Sequence, residues 1–149
     1  MNTVKIIAIF AEDKEGQLNR VTKILAGSGI NIRLVTIADS NIADDRSGRF
    51  GVMKFLVDAP DRALEVIKQN KFLVSTLDAL AVEVPDRAGA LHAVTDCLAR
   101  NKINLASISG FVANNRAVLL FETDNLPSAI AALESENITI LTSAELLKI

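Results

Sequence analysis

The sequence of 149 residues holds a single cysteine, Cys97, and a single histidine, His92. One thiol excludes an intrachain disulfide and any metal cage built from several cysteines. One imidazole leaves no partner for a multi-histidine site and argues against a Ser–His–Asp triad. No metal and no cofactor are expected. An excess of one charge is missing too, since sixteen Lys and Arg against eighteen Asp and Glu give a formal charge of −2. That is not the footprint of a nucleic-acid binder, and it gives an anionic membrane surface little to hold. Nowhere does the chain run apolar for about 18 residues, so no membrane span is expected. Residues 1–10 lack the basic start, apolar middle and small-residue cleavage site of a secretory signal. With 50% of residues hydrophobic and 23% charged, the composition is that of a soluble globular protein, expected in the cytoplasm.

What the chain does contain is a second copy of itself. Shifting it by 73 residues lays positions 8–39 over 81–112 and matches Asp13 with Asp86, Gly16 with Gly89, and Leu18 with Leu91. The same shift matches Val21-Thr22 with Val94-Thr95, Leu25-Ala26 with Leu98-Ala99, and Ile30-Asn31 with Ile103-Asn104. Beyond it the offset falls to 66, and residues 60–72 lie over 126–138. The difference of seven residues is a longer loop at positions 40–51 of the first copy. The repeat predicts two domains, 1–77 and 78–149.

Each copy reads as strand, helix, two strands, helix, strand. Residues 4–10 are β-branched and apolar, and Leu18, Val21, Thr22 and Leu25 follow at helical spacing. Gly27 and Gly29 stop that helix. Residues 32–38 and 50–57 form a hairpin across the Asp-rich stretch 39–49, a helix runs from Pro60 to about Gln69, and residues 72–77 are a fourth strand. The second copy gives strand 80–84, helix 89–99, strands 105–112 and 116–123 around a tight Asn114-Asn115 turn, helix 127–134 and strand 138–141. The fold class is α+β: two ferredoxin-like βαββαβ units, each an antiparallel four-stranded sheet with its helices on one face. A unit of about 70 residues buries only some 60% of its unfolded surface, and several strands are apolar on both faces, so the open face of each sheet is expected to be covered.

At the first strand-to-helix turn both copies carry aspartate, a basic residue, any residue, glycine, any residue, leucine. These are Asp13-Lys14-Glu15-Gly16-Gln17-Leu18 and Asp86-Arg87-Ala88-Gly89-Ala90-Leu91. Fifteen residues after each glycine stands an asparagine, Asn31 in Ile-Asn-Ile and Asn104 in Ile-Asn-Leu. In motif, spacing and element order the chain resembles the ACT domain, a small module that binds amino acids in metabolic regulators, taken twice. The family commonly has proline before the glycine, where this chain has Glu15 and Ala88, so the loop is less stiff; Glu15 also places a negative charge near an incoming carboxylate.

An amino acid is a zwitterion and needs donors for its carboxylate and acceptors for its ammonium. Helix-start amides near Gly16, Gln17 and Leu18, and near Gly89, Ala90 and Leu91, offer donors at the positive end of the helix dipole. Asp13 and Asp86 offer carboxylates, and Asn31 and Asn104 offer both functions. By resemblance to ACT domains such as that of phosphoglycerate dehydrogenase, each turn would meet the asparagine of a neighbour: residues 13–18 with Asn104, and residues 86–91 with Asn31. The same residues have plainer readings. Asp13 and Asp86 can cap their helices, accepting from Gly16 and Gly89, and the glycines can serve only the turn. Asn31 and Asn104 can sit in a left-handed turn after a helix. His92 aligns with Asn19 as a helix-surface residue, Cys97 aligns with Ile24 as a buried inert thiol, and Asp39, Asp44 and Asp45 fit a solvated loop rather than an EF-hand.

General acid–base and nucleophilic catalysis need a positioned group with a tuned pKa, and isolated carboxylates with one histidine do not supply it. The expectation is a non-enzymatic, amino-acid-responsive regulatory protein, dimeric as two copies of the chain. The alternatives are a regulatory subunit of a separate biosynthetic enzyme, like the small subunit of acetolactate synthase, and an oligomerisation module without a ligand.

Overall fold

Ile7, Ile9 and Ala11 alternate along β1 (Val4–Glu12), and Met53, Phe55 and Val57 alternate along β3 (Phe50–Val57). The strands pair antiparallel with Ile7 opposite Phe55 and Ile9 opposite Met53, so these side chains share one face. The computed structural model describes residues 2–12, 14–39 and 50–149. Two helices, α1 (Gln17–Gly27) and α2 (Pro60–Gln69), lay Val21, Leu25, Ala63 and Ile67 on that face and complete a buried cluster. Burial stabilises each large apolar side chain by about 1.5–3 kcal/mol. With β2 (Ile32–Asp39) and β4 (Leu73–Pro85) the strand order is β2-β3-β1-β4.

The second copy repeats this plan. Leu80, Val82 and Val84 of β4 and Leu119 and Phe121 of β6 (Arg116–Thr123) face Val94 and Leu98 of α3 (Ala90–Arg100), with Ala129 and Leu133 of α4 (Leu126–Ser135). Here β7 (Thr139–Leu141) and β6 flank β4, and β5 (Leu105–Ala113) is the outer strand beyond β6. Ala81, Val118 and Leu120 alternate with the cluster residues and are buried as well. The chain forms two compact units, Lys5–Leu77 and Asp78–Ile149, and the amino-terminal residues up to Val4 belong to the second.

Three local features depart from the sequence expectation. The strands anticipated at 72–77 and 80–84 are one strand, β4, because no glycine or proline interrupts the run between Leu73 and Val84. A short helix, α5 (Ser143–Leu147), follows β7. Thr142 and Glu145 start it with a reciprocal capping box, and the backbone hydrogen bond from Thr142 holds the Glu145 carboxyl below its ordinary pKa. The Ser143 hydroxyl donates to the Thr3 carbonyl at 3.4 Å, which ties the amino-terminal residues to the second unit. Strand β7 is also one residue shorter than expected, because Ile138 closes the α4 terminus instead.

That closure is shared by four helix ends. The amides of Ile30, Phe72, Ile103 and Ile138 donate to the carbonyls of Leu25, Ile67, Leu98 and Leu133, each five residues back, at 2.9–3.4 Å. The residue before each has positive φ: Gly29 69°, Lys71 65°, Lys102 58° and Asn137 56°. This is the Schellman arrangement, and its apolar pair packs into the core in every case. Lysine in that conformation costs roughly 1–2 kcal/mol, against the roughly 0.5–1 kcal/mol of extra chain entropy that glycine loses. Lys102→Gly is therefore expected to stabilise the chain by about 0.5–1 kcal/mol, seen as a higher urea midpoint at unchanged slope.

Candidate functional site

Helix α4 starts with a side-chain cap, Asn125 accepting from the Ser128 amide at 3.1 Å. Helices α1 and α3 do not. Their N-cap residues are Gly16 and Gly89, at φ 83° and 87°, with no side-chain hydrogen bond to the helix. The capping role anticipated for Asp86 is thus not realised; its exposed carboxylate has no hydrogen-bond or ion-pair partner among the described residues. Asp13 lies outside the described residues, as do the loop positions 40–49 with Asp44 and Asp45.

With no cap, helix-start amides stay open. The Ala90 amide donates to the Arg87 carbonyl at 3.2 Å and that of Ala93 to Gly89 at 3.0 Å, while those of Leu91 and His92 have no acceptor among the described residues. The first unit matches. Gln17 donates to Lys14 at 3.4 Å and Arg20 to Gly16 at 2.9 Å, and the amides of Leu18 and Asn19 have no acceptor among the described residues. Among the described residues each turn therefore presents N–H groups without an acceptor at the positive end of an 11-residue helix. The glycines serve the backbone first: a Cβ at either would meet nothing within 4 Å, but positive φ strains any other residue. Gly89→Ala is expected to cost about 1 kcal/mol, and Gly89→Asn less, read as a fall in melting temperature.

The surroundings of the two turns differ. In the first unit Glu15 is exposed, Gln17 and Leu18 are half-buried, and Lys14 is engaged by Glu12 at 3.6 Å. In the second unit Ala88 and Leu91 are exposed, Ala90 is buried, and Arg87 has no ion-pair partner among the described residues. A cleft of about 420 Å³ opens there, lined by Glu83, Arg87, Gly89, Ala90, Asn137 and Thr139 among others. Glu83 meets Arg116 at 3.5 Å. Sequence reasoning did not single out Arg87, although it stands in the quoted motif. Asn137 and Thr139 reach the cleft through the fold, from about 50 residues away, and leave no local signal.

Asn31 and Asn104 are exposed at the starts of β2 and β5. Neither adopts the left-handed conformation anticipated as one reading, because the preceding Gly29 and Lys102 take it. Their main chains are fastened. The Asn31 amide donates to the Asp58 carboxylate at 3.0 Å and its carbonyl accepts from the Asp58 amide at 3.1 Å; the Asn104 carbonyl accepts from the Thr123 hydroxyl at 2.8 Å. Their side-chain amides have no partner among the described residues. Within one unit the turn and the asparagine stand at opposite ends of the same helix, which at 11 residues is roughly 16 Å long. The structure does not bring them together within a unit, and no molecule with charges a few ångströms apart can reach both there.

His92 is exposed, as its alignment with Asn19 implied. Cys97 is fully buried, its Sγ lies 3.4 Å from the Ala132 carbonyl, and burial raises its thiol pKa. It should resist maleimide in the native state and label fully in denaturant; native labelling at the denatured rate would contradict this burial. Among the described residues no three His, Cys, Asp or Glu side chains gather to hold a metal, and no helix is long and apolar enough to cross a membrane.

The family model for the ACT domain pair matches residues 2–149. Among solved structures, a protein of Bacteroides thetaiotaomicron is similar at 28% identity and a TM-score of 0.89, over 99% of this chain and 98% of that one. The ligand-free regulatory subunit of aspartate kinase from Thermus thermophilus is similar at 16% identity and a TM-score of 0.58, over 91% and 93%. Aspartokinase α and β subunits give 17% identity and a TM-score of 0.57, over 90% and 91%. At these last identities the likeness is one of fold. No curated protein matches.

Proposed function

The chain belongs to the ACT domain pair family, and on that premise we propose that it is a regulatory protein that binds an amino acid between ACT units and acts without catalysing a reaction. The open amides at the starts of α1 and α3 receive the carboxylate, Asp13 or Asp86 the ammonium, and the asparagine of a neighbouring unit closes the site. In this reading residues 13–18 pair with Asn104, and residues 86–91 with Asn31. The observation that carries it is the helix length between each turn and the asparagine of its own unit. Two elements that far apart serve one small ligand only when different units meet. A ligand held that way favours one association of units over others, and that differential affinity is what regulation requires.

Two copies of the chain make the assembly. Strands β2 and β5 are outer strands, and each exposes apolar side chains, Val35 and Ile37 on one and Ile108 and Val112 on the other. Edge strands of this kind pair readily with another chain.

Melting the chain with each of the twenty amino acids tests the proposal. Ligand at 100 times its Kd stabilises by about 2.7 kcal/mol, which is several degrees for units of this size. Asn31→Ala combined with Asn104→Ala should abolish the shift. Because neither side-chain amide is hydrogen-bonded among the described residues, the unliganded melting temperature should stay nearly unchanged. A screen in which no amino acid shifts the melt would leave the oligomerisation module as the better account.

A further inference from the structure

The groove between the two helices carries opposite occupants in the two units. In the second unit the Arg100 guanidinium lies between two carboxylates, its Nε donating to Asp96 at 2.9 Å and a terminal nitrogen to Glu136 at 2.5 Å. The offsets of the repeat place Lys23, Gly27 and Asn70 of the first unit at the positions of Asp96, Arg100 and Glu136. One carboxylate has become an ammonium, the other an amide, and the guanidinium has no side chain in its place. What remains is a cleft of about 410 Å³ lined by Arg20, Lys23, Ile24, Gly27, Ser28 and Asn70, with no carboxylate.

The cations there are placed for use. Arg20 stacks over Phe72 at 4.6 Å from the ring centroid, and one terminal nitrogen donates to the Asn70 carbonyl at 3.5 Å. Stacking restrains the guanidinium and leaves most of its donors free. The Lys23 ammonium, one turn along the same helix, has no partner among the described residues. The Asn70 amide is fixed by donating to the Val66 carbonyl at 2.7 Å.

We propose that this cleft of the first unit binds a small dianion, a phosphate or a dicarboxylate, between the Arg20 guanidinium and the Lys23 ammonium. A dianion answers two neighbouring cations that lack a counter-charge among the described residues, as the two carboxylates of the second unit answer Arg100. The site stands on the side of α1, separate from its first turn, and is independent of the amino-acid reading.

The test follows backbone amide signals of the full chain while inorganic phosphate or succinate is added, with sodium chloride as the ionic-strength control. Saturable shifts at Lys23, Gly27, Ser28 and Asn70 are expected, and the probe that saturates at lower concentration tells phosphate from carboxylate. Arg20→Ala and Lys23→Gln should each weaken binding about tenfold or more, roughly the loss of one charge-assisted contact. The combination Lys23→Asp, Gly27→Arg and Asn70→Glu rebuilds the network of the second unit and should abolish binding. A Cβ at Gly27 meets nothing within 4 Å, so that side chain has room. Should the combination fail to fold, the two single variants carry the test alone. Linear shifts equal to those from sodium chloride would overturn the proposal, as would full affinity in both Arg20→Ala and Lys23→Gln.

Discussion

A four-stranded sheet can bury one face under two helices only if each helix hands the chain back to the next strand at a fixed angle. Here that hand-over is made four times by one device: a residue in the left-handed conformation, followed by an apolar side chain that re-enters the core. Ile30, Phe72, Ile103 and Ile138 are those side chains, and each packs with the residue whose carbonyl its own amide engages. The same device decides where the candidate binding residues stand. Asn31 and Asn104 come immediately after Ile30 and Ile103, so their places at the mouths of β2 and β5 follow from how α1 and α3 stop. Four positions share one backbone geometry while carrying Gly, Lys, Lys and Asn. The conformation is imposed by the packing that follows it, and residue preference adds a smaller contribution.

The copies keep their cores and diverge on their surfaces. Apolar positions of α1 and α3 correspond almost throughout, even where Ile24 is replaced by Cys97, whose burial makes it behave as a small hydrophobe. Polar positions have no such constraint. In the alignment of the copies Lys23 corresponds to Asp96, Asn70 to Glu136 and Gly27 to Arg100, and the two turns differ in the same way, Glu15 corresponding to Ala88. One fold thus presents two chemically different surfaces within one chain.

Much of this was legible in the sequence. The duplication, the βαββαβ order and the helix faces follow from spacing, because apolar periodicity reports burial directly. The strand bounds of β3 and β6 agree to the residue. What escaped was set by longer-range geometry. The continuity of β4 left only a negative signal, the absence of glycine or proline between Leu73 and Val84, where a break between the two copies was expected. Asp86 resembled a cap because aspartate often is one, yet the turn brings Gly89 to the N-cap position and leaves the carboxylate outside. Asn31 and Asn104 looked fit for a left-handed turn, but the packing of Ile30 and Ile103 fixes that turn two residues earlier, at Gly29 and Lys102. The clefts are less legible still, since each is lined by two segments whose proximity exists only after folding.

The contact between Ser143 and Thr3 has a consequence for the order in which the chain assembles. A ribosome makes Thr3 and Val4 before any residue from Asp78 onward, although they belong with that later segment. Positions 5–77 are complete in sequence while synthesis continues, in the usual manner of domains emerging in turn. The first few residues must meanwhile wait without their partners. Closing so wide a loop carries an entropic cost that contacts between near neighbours in sequence avoid.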